Sequence, residues 1–432
     1  MKKLSIITLF LFSALSVSAQ GYLSFYQLRD IVPQTQGLQP AFIPDNTLTI
    51  SMPLLNAGGL IKGDLILEEL LSRPGGQTEL TIDFDLFNDA SEPENFLNFD
   101  VISNLFHVGL RTRHGAFSAF VNARATLNLA YEKDLTEFLA NGNGSFIGKT
   151  IDFSGTKLRM QSSQEVGIGY ANTFLNERLT VGARVKLVTG IFHASFADGA
   201  SASLTTDAND FSWQIAVQNG TVNTAGLDLL FNSDDYPDDA LSTYLLSNDN
   251  STMAFDLGAK FRPLDWLEVE ASVNDIGSIN WKEQARNYNV ADTIVTYSGL
   301  NLDGLEDSGQ MFQDSLGGLF NSNETREAFT TDLSTRVFLT ASAYLTDRDR
   351  FSLTYFKSNA LNNLPANYGL AYNHRFDKFV VGVLGTFRRS NNRANIGANL
   401  GTNIGPVQIY AAVQNVLIFD RPERFSKANF RF

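Results

Sequence analysis

The chain has 432 residues, with 33 Lys and Arg against 46 Asp and Glu, four His and no Cys, for a net charge of −13 at neutral pH. The acidic balance argues against nucleic acid or an anionic membrane surface as a partner. The lack of Cys excludes disulfides, thiolate metal sites and a lipid anchor on Cys. Hydrophobic residues still make up 44%, with 34 Phe, 13 Tyr and 33 Gly, a mixture that suits twisted strands and aromatic belts.

Residues 1–19 read as an export signal: Lys2 and Lys3, an apolar run from Leu4 to Leu15, then Val17-Ser18-Ala19 before a cut expected after Ala19. No later apolar segment reaches the roughly 20 residues of a membrane helix. Residues 20–46 hold Pro33, Pro40 and Pro44 and show no alternation, so they are expected to form an irregular plug, with Pro40, Phe42 and Pro44 among its residues. Two short helices are expected next, over 64–73 before Pro74-Gly75-Gly76 and over 132–141 before Gly142.

From residue 47 to 432 the recurring pattern is a period of two, in which successive side chains point to opposite faces of a strand. Phe106, Val108 and Leu110 alternate with His107, Gly109, Arg111 and, further on, Arg113. Val121, Ala123 and Ala125 alternate with Asn122, Arg124 and Thr126; Val181, Ala183, Val185 and Leu187 alternate with Gly182, Arg184 and Lys186. Phe255, Leu257, Ala259 and Phe261 oppose Asp256, Gly258, Lys260 and Arg262, and Leu267, Val269 and Ala271 oppose Glu268 and Glu270. The pattern continues through Val381 and Val383, Ile396 and Leu400, and Val407 and Ile409, to a final Ala428, Phe430 and Phe432. Such runs number roughly 14, within the range of bacterial outer-membrane barrels, and several have the roughly 10 residues that cross a bilayer when tilted. Residues 219–252, rich in Asp, and 299–333, with Met311, Phe312 and Phe320, read as long outward loops. The expected fold is therefore all-β: a transmembrane antiparallel β-barrel with an N-terminal plug and short loop helices, whose apolar faces meet lipid. A soluble β-protein with charges outward is the competing arrangement.

The stretch LQPAFIPDN at 38–46 resembles the opening of barrels related to long-chain fatty-acid transporters, with Gln39 in place of their usual Asn. Residues 141–155 running into 165–190 resemble an uncharacterised family of outer-membrane barrels, a domain of unknown function. VNDIGSINWKEQ at 273–284 is similar to the barrel subunit of a secretion system through Asp275, Ile276, Gly277 and Trp281. The resemblance implies a plugged barrel in the outer membrane of a Gram-negative bacterium. It also implies a terminal Phe432 read by the barrel insertion machinery. Limited transport of small hydrophobic or amphipathic molecules is the first expectation; a non-conducting barrel that serves as subunit or docking partner of an envelope complex is the second. The implied partners are outer-membrane lipid and either a small hydrophobic ligand or an envelope protein.

The charged faces place Arg111, Arg113, Arg124, Arg184, Lys186, Asp256, Lys260, Arg262, Glu268 and Glu270 toward a lumen. Both signs are present, which favours paired charges tying wall and plug together over a charge-selective constriction. His193 and Ser195 sit two apart on one strand, the spacing of base and nucleophile in outer-membrane phospholipases, but no third group orients the base. Four His without Cys make a transition-metal site improbable, and the Asp-rich loop lacks the spacing of a calcium loop. No catalytic residue, metal or cofactor is expected.

Overall fold

The computed structural model describes residues 22–29, 31–51, 57–63, 71–72, 81–231, 236–297, 322–359, 366–388, 395–404, 407–413 and 427–431. The export signal, the stretch around Met311, Phe312 and Phe320, and Phe432 lie outside the described residues. So does most of the helix expected over 64–73, of which Leu71–Ser72 is described, as a strand paired with Thr81–Ile82.

One 18-stranded sheet dominates, and every ladder in it is antiparallel. Its main strands in the first half are β1 (Ala57–Gly63), β2 (Glu94–Arg111), β3 (Gly115–Glu132), β4 (Lys157–Phe174), β5 (Leu179–Phe196), β6 (Ser251–Leu264) and β7 (Leu267–Ile276). The second half supplies β8 (Arg336–Tyr344), β9 (Asp349–Ser358), β10 (Asn367–Arg375), β11 (Phe379–Arg388), β12 (Asn395–Ile404), β13 (Val407–Val413) and β14 (Lys427–Arg431). Each pairs with the next along the chain. β14 then pairs with β1, from Gly58 opposite Arg431 to Lys62 opposite Lys427.

The two faces of these strands invert the usual distribution. On β5, Thr180, Arg184 and Lys186 are buried while Val181 is 43% exposed. On β6, Asp256 is buried and Leu257 is 52% exposed; on β4, Glu165 is buried and Ile168 is 67% exposed. A soluble sandwich buries its apolar set and keeps most charges in water. Here the alternation of the sequence is preserved and its faces are reversed.

Two irregularities redirect side chains. The ladder between β4 and β5 shifts at Ser162/Ser163, so Ile191 breaks the period and His193 and Ser195 turn to the buried face. On β7 the register shifts between Val273 and Ile276, and Asp275 takes φ +62°, a left-handed conformation that few residues other than Gly, Asn and Asp adopt. Asn274 and Asp275 are consequently neighbours that are both buried and both bond on the inner side, whereas in a regular strand successive side chains point to opposite faces.

The N-terminal segment lies against this buried face. It contains α1 (Tyr22–Tyr26) and a turn of 3₁₀ helix at Pro33–Gly37, so it is more regular than the sequence suggests. Tyr22, Leu23, Phe25, Tyr26, Leu28 and Leu38 form one cluster with Phe338, Phe356, Leu384 and Tyr410 of the wall. The Tyr26 ring stacks on Phe338 at 5.0 Å. Its backbone carbonyls are met from the wall: Gln408 Nε2 donates to Ile31 O at 2.6 Å, and Ser272 Oγ and Asn274 Nδ2 donate to Leu38 O at 2.6 and 2.9 Å.

The sequence reads 219–252 as a loop, yet Gly220–Ala225 is a strand between β5 and Ala285–Val290, followed by a helix at Ala240–Leu246. A separate four-stranded sheet joins Thr150–Asp152, Ser201–Thr206, Trp213–Gln218 and Thr293–Tyr297. Its apolar side packs Phe146, Ile151 and Leu204 with Phe138 of the expected helix, found at Lys133–Asn141. These strands are three to six residues long, too short for a period of two to stand out in the sequence.

Candidate functional site

Eight charged side chains of the buried face form one connected network with Asp275 at its centre. Arg124 of β3 approaches Asp275 Oδ2 at 3.0 Å, Arg336 of β8 donates through Nε at 2.7 Å, and the Lys186 ammonium bonds to Oδ1. Lys186 also reaches Asp256 Oδ1 at 3.0 Å, and the Asp275 backbone N–H donates to the same oxygen at 2.7 Å. Arg184 lies 3.4 Å from the other oxygen of Asp256, and Arg124 pairs with Asp100 at 2.9 Å. Asn122 Nδ2 donates to Glu165 at 3.1 Å, and Lys186 stands 3.9 Å from Glu165. Four bases (Arg124, Arg184, Lys186, Arg336) thus face four acids (Asp100, Glu165, Asp256, Asp275), and the set is neutral. Buried charges persist when they are paired and their remaining valences filled.

The N-terminal segment enters the network. The Tyr22 hydroxyl bonds to Asp100, the Arg336 guanidinium lies 5.0 Å from the Tyr22 ring, and Arg184 Nη1 donates to Gln36 O at 3.1 Å. Elsewhere on the same face, Glu270 accepts from Arg29 Nε at 2.7 Å and from the Tyr26 hydroxyl at 2.6 Å. Glu268 collects Arg262 at 3.2 Å, Lys260 at 3.8 Å and the Tyr344 hydroxyl at 3.1 Å.

Of the residues singled out in the sequence, Arg124, Arg184, Lys186, Asp256, Glu268 and Glu270 are buried together on this side of the sheet. Lys260 and Arg262 lie at its margin, 30% and 42% exposed. Two placements differ. Arg113 is exposed in the turn between β2 and β3, where the strand period no longer applies. Arg111 ends β2 and is exposed beside Asp45 at 3.7 Å. Pro40, Phe42 and Pro44 are buried. Of the Asp-Ile-Gly motif, Asp275 is the hub, Ile276 faces out, and Gly277 sits where a Cβ would come 3.1 Å from that of Ala254. Trp281 is fully buried with Val188, Ala225 and Ile279.

Asp100, Glu165 and Arg336 escaped the sequence reading although each is opposed by apolar neighbours, Val101, Val166 and Val337, in the same alternation. Arg29 lies in a segment without period, and nothing local marks it. His193 Nε2 does lie 2.9 Å from Ser195 Oγ, but its ring is enclosed by Trp281 and Phe329 at 5.2 and 5.4 Å. Its Nδ1 has no hydrogen-bond partner among the described residues, so the orienting group of a triad is missing there. Among the described residues no three His, Asp or Glu are grouped to hold a metal.

The sequence model of one family, described as of unknown function (DUF5723), matches residues 40–414. The chain belongs to that family. No curated protein matches this DUF5723 member. Among solved structures it is similar to the Pseudomonas putida toluene transporter TodX, with 8% identity over 89% of this chain and 88% of that one and a TM-score of 0.40. A triple mutant of the Rh. blastica porin matches with 10% identity over 89% of this chain and 99% of that one and a TM-score of 0.22. The Yersinia pestis ferric yersiniabactin uptake receptor FyuA matches with 8% identity over 86% and 50% and a TM-score of 0.30.

Proposed function

We propose that this chain is an integral β-barrel of the Gram-negative outer membrane, exported by its first 19 residues, with fourteen wall strands from residue 47 onward and residues 20–46 as its plug. The observation that carries this reading is the inverted distribution of side chains: Leu257, Ile168 and Leu353 are 52%, 67% and 55% exposed, while Asp256, Glu165, Arg184 and Lys186 are buried. In lipid an apolar outer face is the solvated one, and ionisable groups belong inside and paired. The ladder from β14 to β1 supports closure, because strands β1 to β14 then each have a neighbour on both sides, and a bilayer admits no unpaired edge.

Within that reading, a non-conducting barrel that serves as docking partner in the envelope is the better supported role. Among the described residues, the interior side is occupied by the segment from Tyr22 to Phe42 and by a neutral ion network, and a cavity between them measures about 30 Å³. Transport of small hydrophobic or amphipathic molecules remains the second role, and it requires that segment to move. Neither role makes the chain an enzyme: Ser195→Ala is expected to leave lipid hydrolysis by the purified protein at background.

Planar bilayers test the choice. Wild-type protein is expected to insert and carry no steady current. Open, voltage-independent pores in the wild type would overturn the docking role, and failure to insert from detergent would overturn the barrel itself.

A further inference from the structure

We propose that the cavity between the turn Pro33–Gly37 and strands β2, β3 and β5 binds one small monovalent anion, of the size of chloride, formate or nitrate. The cavity measures about 30 Å³, and Gln34, Asn104, His107, Asn122, Arg184 and Arg336 contribute to its lining. A buried water takes about 10–15 Å³ of such space, so the cavity admits about two waters or one compact ion.

The chemistry of the lining selects the ion. Two guanidinium groups line the cavity and no carboxylate does. The carboxylates nearby are already engaged: Asp256 by Lys186 and Arg184, and Glu165 by the Asn122 amide. The Asn104 amide is spent on Asn122 Oδ1 at 2.8 Å and on Phe106 O at 3.1 Å. What remains is unpaired. Arg184 Nε and His107 Nε2 have no hydrogen-bond partner among the described residues, although Arg184 is 6% and His107 3% exposed. A guanidinium N–H donates only, so its missing partner must be an acceptor. The His107 tautomer with its proton on Nε2 supplies a second donor to the same acceptor, and we assign it that tautomer. Gln34 Oε1 is also unpaired, and its amide can turn to present N–H in place of oxygen.

The Arg184 guanidinium is held over the Phe120 ring at 3.6 Å and by its bond to Gln36 O. Its free Nε–H is thereby fixed. Water would fill the same space, but against the fixed positive charge of the guanidinium an anion adds a Coulombic attraction that a neutral water lacks. A carboxylate could come from free formate or from the head of a longer acid, and the shared chemistry is one compact oxyanion or halide.

The test uses the full chain in detergent, melted in sodium chloride, formate or nitrate against sodium gluconate at equal ionic strength, gluconate being too large for the cavity. Saturable upward shifts of the unfolding midpoint with the small anions are expected. In His107→Leu, which leaves the ion pairs intact, the apparent affinity is expected to fall about tenfold, the cost of one hydrogen bond to a charged group. Octanoate that competes with formate assigns the site to the head of a longer acid, and octanoate without effect assigns it to a free ion; both uphold the site. Equal midpoints in formate and gluconate, or an unchanged response in His107→Leu, would mean that the cavity holds water alone. Should that variant fail to fold, the anomalous signal of bromide in wild-type crystals decides: a peak at Arg184 Nε supports the site, and none overturns it. Each outcome reads the cavity whether or not the barrel conducts.

Discussion

Gly182 of β5 stands directly opposite Gly258 of β6, and the backbone of Pro40 rests on the pair. A Cβ on Gly182 would come within 2.1 Å of the Pro40 carbonyl oxygen, and one on Gly258 within 2.9 Å of the Ala41 amide nitrogen. The pair is a notch in the wall cut to the N-terminal segment. Gly182→Val closes it, at a cost of about 1–3 kcal/mol or more for overpacking against backbone. The segment around Pro40 is then expected to become protease-sensitive in the folded protein. Gly385→Ala is the control, since its Cβ would find its nearest neighbour at 3.5 Å. Equal protease resistance in both variants would show that the notch does not seat the segment.

Glu270 anchors the segment from another strand through Arg29 at 2.7 Å. Glu270→Leu leaves a buried guanidinium without its acid, and such half-broken pairs cost about 3–5 kcal/mol. The double variant Arg29→Met with Glu270→Leu is expected to recover most of that loss. Urea midpoints of the three proteins, read by heat-modifiable gel migration, check the coupling; simple additivity would refute it.

Asp275 holds three cations from three other strands. Asp275→Asn preserves a side chain that tolerates the left-handed backbone and removes only the charge. It is expected to destabilise the folded protein by at least about 3 kcal/mol. Asp332→Asn, on an exposed carboxylate outside the network, is expected to be silent in the same denaturation series.

Leu257 and Leu353 lie near the middle of β6 and β9 and are 52% and 55% exposed. Arg at either position is expected to cost about 2–4 kcal/mol in lipid vesicles, the penalty for a cation on the lipid face near the bilayer midplane. In water the same substitutions are expected to be neutral. Denaturation from vesicles distinguishes the two, and no loss there would mean that this face meets solvent.

The period of two made the strands legible because it is a property of the backbone, indifferent to what surrounds it. Val181 against Arg184 and Leu257 against Asp256 could be assigned to opposite faces from sequence alone, and the charges on one face pointed it inward, where the structure buries Arg184 and Asp256. The period failed wherever a residue leaves the pleat. Asp275 turns inward through a left-handed backbone, Ile191 shifts the faces after it, and Arg113 sits in a turn. The partners of the segment from Tyr22 to Phe42 were illegible for another reason: Arg29 and Glu270 are 241 residues apart and share no local pattern. The short strands of the accessory sheet are selected by pairing across long separations, which composition does not record.

The hub at Asp275 bears on the order of assembly. Its cations come from positions 151, 89 and 61 residues away, namely Arg124, Lys186 and Arg336. While any one of those strands is unpaired, the others present an unbalanced charge to a medium of low dielectric, where such a charge is costly. A partly threaded chain is therefore penalised at the same point that a finished one is secured. The carboxylate acts as a check on completeness, satisfied only when strands from the first third, the middle and the last third of the chain have arrived together.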